Sequence, residues 1–426
     1  MAQKRIITGL DIGTTKICVI IAESSEDGLL EVIGIGTSPS LGLRKGVVVD
    51  IDQTVRSILD AAGKAERMAG VQIDTAFVGI AGAHINSINS HGVVAVTGPE
   101  KEIKESDIIR VVEAAQFINL PPDRHIIHVL PREFIVDGCR GIKDPLGMSG
   151  TRLEVETHIV TGLVTSVQNL VKSVQKAGIN ITEDHVVLEP LAASEAVLND
   201  DERELGVVLI DIGGGTTDIA IFQEGNIAYT SVLPVGGDHV TYDIAYGLKC
   251  SHIKAEEIKI KKGCAIADMI PEDESVEVMA ASGKKKYEIP RRYLCEIIEP
   301  RMHEIFSLVQ KEIVKAGYEG LLPAGAVLTG GASLMEGNLE LASEVLGLPT
   351  RLGTPENIHG LVDFLDEDLY RFQPDINNFN TAVFATAVGL LRYGANQIFY
   401  GENMEKENNL MENLFGRIRG WIKEFF

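Results

Sequence analysis

The sequence predicts two related α/β domains facing each other across a cleft. A small α+β module is inserted in the first, and an amphipathic helix ends the chain. Three observations predict this arrangement. The segments GLDIGTTKICVII (Gly9–Ile21) and LIDIGGGTTDIAIF (Leu209–Phe222) share one pattern, an apolar strand ending in Asp, a Gly/Thr turn and a second apolar strand. Between TAFVGIAG (Thr75–Gly82) and LEPLAASEAVL (Leu188–Leu198), the stretch from about His84 to Val164 carries helix and strand signals of its own. From Leu410 onward, apolar residues recur at helical spacing behind a polar stretch.

The chain has 426 residues, enough for two or more domains with sizeable cores. Its net charge of −22, with no offsetting basic cluster, argues against nucleic acid as a partner. The five cysteines (Cys18, Cys139, Cys250, Cys264, Cys295) are scattered without CxxC spacing, so the expectation is incidental thiols in a reducing compartment. The opening MAQKRIITGLDIG enters a strand at once and does not read as a signal peptide. No apolar stretch approaches the ~20 residues of a membrane span, so a cytoplasmic protein is expected.

The duplicated hairpins carry the chemistry. Gly-rich turns let backbone N–H groups approach an anion, and Thr hydroxyls add donors. Neither turn matches GxxxxGK[ST], so neither is a P-loop. A single Asp-x-Gly turn is most often an ordinary hairpin; two copies with Thr-Thr in both point to a phosphate chain clamped from two sides. Asp11 and Asp211, at the strand ends, are placed to hold Mg²⁺ largely through its waters.

Three further segments extend the pattern. LEPLAASEAVL is a small-residue helix starting near Glu189. LTGGASLMEGN (Leu328–Asn338) is a strand, a Gly-Gly turn and a helix start. ATAVGLLRYG (Ala385–Gly394) is a second small-residue helix. With the two hairpins, and in this order, they resemble the phosphate-1, connect-1, phosphate-2, adenosine and connect-2 motifs of the actin/Hsp70/sugar-kinase ATPase superfamily.

The resemblance implies ATP and Mg²⁺ as ligands. Gly13, Thr14, Thr15 and Lys16 would meet the phosphates from the first domain, and Gly213, Gly214, Gly215, Thr216 and Thr217 from the second. Sugar and base would meet Gly236, Gly237, Gly330, Gly331 and Met335. Glu256 and Lys259 have the E-x-x-K spacing used for ribose and adenine, although by itself that is an ordinary i,i+3 ion pair. Glu189 stands where the superfamily places the residue that orients the attacking water, with Asp211 beside it. These parts serve slow nucleotide switches as well as fast enzymes, so turnover stays open, and the primary role expected is that of a scaffold.

Within the insert, ESDIIRVVEAAQFI reads as a helix with Ile108, Val111, Val112 and Ala115 on one face. SPSLGLRKGVVVDI, PPDRHIIHVLPREFIVDG and GIKDPLGMSGTRLEVETHIVTG resemble the FtsA family of actin-like bacterial cell-division proteins. That resemblance implies an ATP-dependent polymer that tethers FtsZ to the inner face of the cytoplasmic membrane and recruits later division proteins. It divides the chain into subdomain 1A (1–83, 165–204 and 361–400), the inserted 1C (84–164), 2A (205–240 and 301–360) and 2B (241–300). Arg301 and Glu304 match a turn that receives the FtsZ C-terminal peptide, against the plainer reading of an exposed ion pair. A small-molecule phosphotransferase and a pilus-type actin-like adaptor are the alternative functions.

The stretch 401–409 reads as a flexible linker and 410–426 as the amphipathic membrane-targeting helix. At roughly 100° per residue, Leu410, Met411, Leu414, Phe415, Ile418, Trp421, Ile422, Phe425 and Phe426 share one arc of ~160°. Arg417 and Arg419 flank it. Packing on the body and docking in a protein groove are open readings. A helix lying in the plane of an anionic membrane fits the aromatic face and basic edges best. Assembly into a filament would turn one weak anchor into many.

Overall fold

The computed structural model describes residues 5–25, 29–98, 100–281, 283, 285–362 and 381–405, with side chains beyond 397 left aside. The tail helix expected over 410–426 and the connection at 363–380 lie outside the described residues.

Two sheets repeat one plan. In the first, the order is Val186–Leu188, Phe77–Ile80, Arg5–Ile12, Lys16–Ser24, Leu30–Pro39 and Ile358–His359. In the second it is Thr350–Leu352, Ala326–Thr329, Val207–Ile212, Thr217–Gln223 and Asn226–Leu233. Each sheet has a central antiparallel hairpin, a third antiparallel strand on one side and parallel strands on the other. The central strands are buried along almost their whole length, which is why they read as continuous apolar runs rather than alternating ones.

Even the register repeats. Asp11 faces Cys18 and Ile12 faces Ile17; Asp211 faces Asp218 and Ile212 faces Thr217. The duplication legible in the two sequence segments is thus a duplication of the hydrogen-bond ladder.

Two small-residue helices, Glu189–Val197 and Ala385–Glu405, pack on each other beneath the cleft side of the sheets. Small residues allow the close approach. A Cβ on Gly389 would strike the Ala192 carbonyl, and one on Gly9 would lie 2.6 Å from the Ala387 carbonyl. Ala385–Glu405 also runs five residues into the stretch expected to be linker. Once a helix is under way, Glu402, Met404 and Glu405 extend it at little cost, so polarity over 401–405 is no bar to a helix there.

The insert forms its own antiparallel sheet in the order Asn86–Ala95, Arg152–Leu163, Arg124–Val136 and Cys139–Ile142. The helix Glu105–Gln116 covers one face, burying Ile108, Val111, Val112 and Ala115 over a core separate from those of the two large sheets. The insert also touches the second half directly. His158 Nε2 lies 2.9 Å from Thr230 Oγ1, Ser87 Oγ donates to the Thr230 carbonyl at 2.9 Å, and Arg132 Nη2 donates to the Tyr318 hydroxyl at 3.2 Å.

One 25-residue helix, Arg291–Lys315, crosses the division expected at residue 300 without a break, with Pro300 inside it. Ser275–Met279 and Lys286–Pro290 make a small antiparallel hairpin before it. Among the described residues no helix is long and apolar enough to cross a membrane.

Candidate functional site

The two Gly/Thr turns meet. A Cβ added to Gly214 would strike Thr15, and one added to Gly215 would lie 2.8 Å from Thr14 Oγ1. The Thr14 hydroxyl accepts from the Gly46 N–H at 3.3 Å. In the second turn, Gly213 N–H closes on the Thr216 carbonyl at 3.0 Å. The helix Gly237–Gly247 then docks on that turn, with Gly237 N–H donating to the Gly213 carbonyl at 2.9 Å and Asp238 N–H to the Gly214 carbonyl at 2.8 Å. Its carbonyls are thereby held, while the Gly214 and Gly215 amides have no backbone acceptor among the described residues. This is a cradle of N–H groups of the kind that binds phosphate oxygens.

Four carboxylates crowd the same place. Burial pushes Asp11 up to about 6, with Lys16 opposing, and pushes Asp211 up to about 6, with Asp11 adding to the rise. Glu189 is raised well above the ordinary carboxylate range by burial and then by Asp11, Asp218 and Asp211. Asp218 is raised likewise by burial and Asp211. Against these stands Lys16, whose Nζ donates to the Val383 carbonyl at 2.5 Å and lies 4.3 Å from the centre of the Phe384 ring. Asp211 accepts from Thr386 Oγ1 at 3.2 Å, and Asp218 Oδ2 accepts from Thr216 Oγ1 at 3.1 Å, yet the buried Asp218 Oδ1 has no partner among the described residues.

An unpartnered buried carboxylate oxygen beside three further carboxylates fits a divalent cation. Among the described residues no three His, Cys, Asp or Glu side chains are grouped to ligate a metal directly. The donor set therefore suits a Mg²⁺ that keeps most of its waters and is reached through them. Asp211 and Asp11 would hold those waters, and the ion would supply charge neutralisation to a phosphate chain.

The residues expected to meet base and sugar also lie near one another. Gly330 takes φ +85°, a left-handed value that favours glycine, and any Cβ there would strike Asp211 Oδ1. Gly331 starts the short turn that ends at Met335. A Cβ on Gly237 would lie 3.0 Å from Ala332 Cβ and 3.4 Å from Lys259 Nζ. The buried Lys259 ammonium donates to the Gly237 carbonyl at 3.1 Å and to Thr241 Oγ1 at 2.9 Å, and pairs with Glu256 at 2.7 Å. Glu256 in turn accepts from the Thr241 hydroxyl. Gly236 lies against the carbonyls of Gly213 and Gly214.

Two expectations need correction. Thr217 is fully buried, and its hydroxyl donates to the Val235 carbonyl at 2.8 Å, so it holds strand to loop instead of offering a donor to phosphate. Thr216 directs its proton to Asp218. A run of two threonines does not reveal which way the strand pleat turns each. Arg301 and Glu304 pair, but they sit in the middle of a helix, and Arg301 is also clasped by Asp243 at 2.7 Å through Nε and 3.3 Å through Nη2. Asp243 lies 58 positions away in the chain, and no local spacing pointed to it. Asp218 was missed although it lies in the second motif itself, because its importance comes from facing Asp211 across the ladder.

Comparison with known proteins gives the chain's family and fold. The family described as "Cell division protein FtsA" matches residues 208–389, and the "SHS2 domain inserted in FTSA" matches residues 82–161. The cell division protein FtsA of Pseudomonas aeruginosa is 45% identical over 428 residues, covering 99% of this chain and 98% of the relative. That of Neisseria meningitidis serogroup B is 39% identical, covering 100% and 99%. Among solved structures, a PilM–PilN type IV pilus biogenesis complex aligns with TM-score 0.63 at 17% identity, covering 91% of this chain and 98% of that one. MreB5 of Spiroplasma citri bound to ADP aligns with TM-score 0.53 at 14% identity, covering 94% and 98%. The fold is therefore actin-like, and the full-length similarity decides the family: this chain belongs to the FtsA family of cell division proteins.

Proposed function

We propose that the chain binds Mg²⁺-ATP between its two hairpins, polymerises with it, and tethers the FtsZ ring to the cytoplasmic face of the membrane, where it recruits later division proteins. The observation that carries the nucleotide part is the meeting of two glycine-rich turns over a set of raised carboxylates opposed by Lys16. The related fold of MreB5, which was solved with ADP and with AMPPNP, supports the same ligand. Hydrolysis is slow and secondary: Glu189, at the start of its helix and close to Asp11, Asp218 and Asp211, orients the attacking water.

The FtsZ C-terminal peptide docks beside Arg301 and Glu304. Because Asp243 and Glu304 both pair with Arg301, the three side chains carry a net negative charge and suit a basic residue of the peptide better than a carboxylate. Membrane attachment rests on Leu414, Phe415, Ile418, Trp421, Ile422, Phe425 and Phe426, read from sequence as one apolar face.

Electron microscopy on anionic lipid monolayers, with and without ATP, tests the proposal as a whole. Filaments that require ATP and lie on the lipid are the expected result. Deletion of Met411–Phe426 is expected to abolish lipid binding and leave ATP binding intact. A truncated chain that sediments with anionic liposomes as well as the full chain would remove the membrane assignment.

A further inference from the structure

His84 stands outside every role given so far. It is 6% exposed, yet neither ring nitrogen has a hydrogen-bond partner among the described residues. Burial, with the Arg124 guanidinium adding to it, pushes its pKa down to about 4, so at neutral pH the ring is an uncharged imidazole with one donor and one acceptor. Leaving both unmet in a protein interior is costly, and native structures satisfy such groups, often with an ordered water.

The ring's surroundings say where that partner sits. His84 lines a small pocket with Ile12, Gly79, Ser166, Leu170 and Glu189, with room for about one water molecule. Glu189 packs against Gly79, where a Cβ would come 3.0 Å from Glu189 Cγ. A Cβ on Gly82 would come 3.0 Å from His84 Nδ1, which turns that nitrogen toward the Gly82 backbone and leaves Nε2 on the far side of the ring. Glu189, Ser166 and His84 all line this one small space, so a water there has side chains of the kinds that supply its two to four polar partners. The backbone is fixed as well, since Arg124 Nη2 donates to the His84 carbonyl at 2.9 Å.

We propose that His84 is a positioning residue for ATP hydrolysis, whose imidazole holds the Glu189 carboxyl, through one buried water, in the orientation that addresses the attacking water. The proposal rests on the nucleotide reading above. It also gives the insert a link to the nucleotide, since the inserted domain spans residues 82–161 and His84 is among its first residues.

The test uses the full chain with Mg²⁺-ATP, reading single-turnover phosphate release together with affinity for a fluorescent ADP. His84→Ala is expected to lower turnover by on the order of 10- to 100-fold while nucleotide affinity stays unchanged. His84→Gln, which places an amide donor and acceptor near the Nε2 position, is expected to restore most of it. In ¹⁵N NMR of the unaltered chain, the His84 ring signals should be those of a hydrogen-bonded neutral imidazole and should shift on Glu189→Gln. Normal turnover in His84→Ala beside a dead Glu189→Gln overturns the positioning role alone, as do ring signals indifferent to Glu189→Gln. An unaltered chain that binds no nucleotide overturns the nucleotide reading, and the positioning role with it.

Discussion

The two hairpins share a backbone and differ in charge. Arg5–Ile12 with Lys16–Ser24, and Val207–Ile212 with Thr217–Gln223, pair in the same register around turns of the same length. At the position facing the conserved-in-place Asp, the first has Cys18 and the second has Asp218. Burial pushes the Cys18 thiol up to about 12, so it stays neutral, whereas Asp218 adds a carboxyl with an unpartnered oxygen. Just before the return strand comes into register, the first hairpin offers the Lys16 ammonium and the second offers Thr216, whose hydroxyl donates to Asp218. Duplication thus supplied the cradle twice, and divergence sorted the charges, with the cation on one side and the extra carboxylate on the other. A ligand carrying both phosphate and Mg²⁺ needs that asymmetry, since the phosphates seek Lys16 and the metal seeks the aspartates.

The largest effect should come from erasing the difference. Cys18→Asp would place a second carboxylate beside Asp11 in a fully buried ladder and is expected to destabilise the fold by about 3 kcal/mol or more, measured by urea unfolding. An unfolding midpoint equal to that of the unaltered chain would show that the two positions are electrostatically equivalent. Next, Gly214→Val would drive a side chain into Thr15 and fill the cradle. A loss of ATP affinity of about 100-fold is expected by titration, or about 2.8 kcal/mol.

The pH dependence is of similar interest. Asp11 and Asp211 have folded values near 6 against 3.8 unfolded, so the folded state holds protons longer as pH rises. Their contribution to stability is fully present below about pH 4 and is lost as pH rises through 6. Mg²⁺-ATP, by neutralising the ionised carboxylates, should flatten that loss. Thermal melts between pH 4 and 7 with and without Mg²⁺-ATP check the sign. The smallest expected effect is that of Lys259→Ala, which unties Gly237, Thr241 and Glu256 at the edge of the site and should weaken ATP binding by about tenfold, or about 1.4 kcal/mol.

Much of this was legible in the chain. The hairpins, the helix opening at Glu189, the turn at Gly330 and the core face of Glu105–Gln116 all follow from local patterns of apolar period, Gly turns and strand-ending Asp. What escaped was set by contacts between distant segments. Asp218 matters because of cross-strand register, Asp243 because a second helix brings it to Arg301, and His84 because four other segments of the chain help wall its pocket. Thr217 looked like a phosphate donor because its motif does not encode the pleat. Residues 401–405 looked like linker because polar residues are common to loops and to helices.

The claim that one Mg²⁺-nucleotide joins the two hairpins is tested most directly by calorimetric titration of ATP into the full chain and into Asp211→Asn, each with Mg²⁺ and with a chelator. Tight binding only in the unaltered chain with Mg²⁺, falling by at least tenfold on either change, is the predicted result. Equal ATP affinity in all four titrations would contradict it.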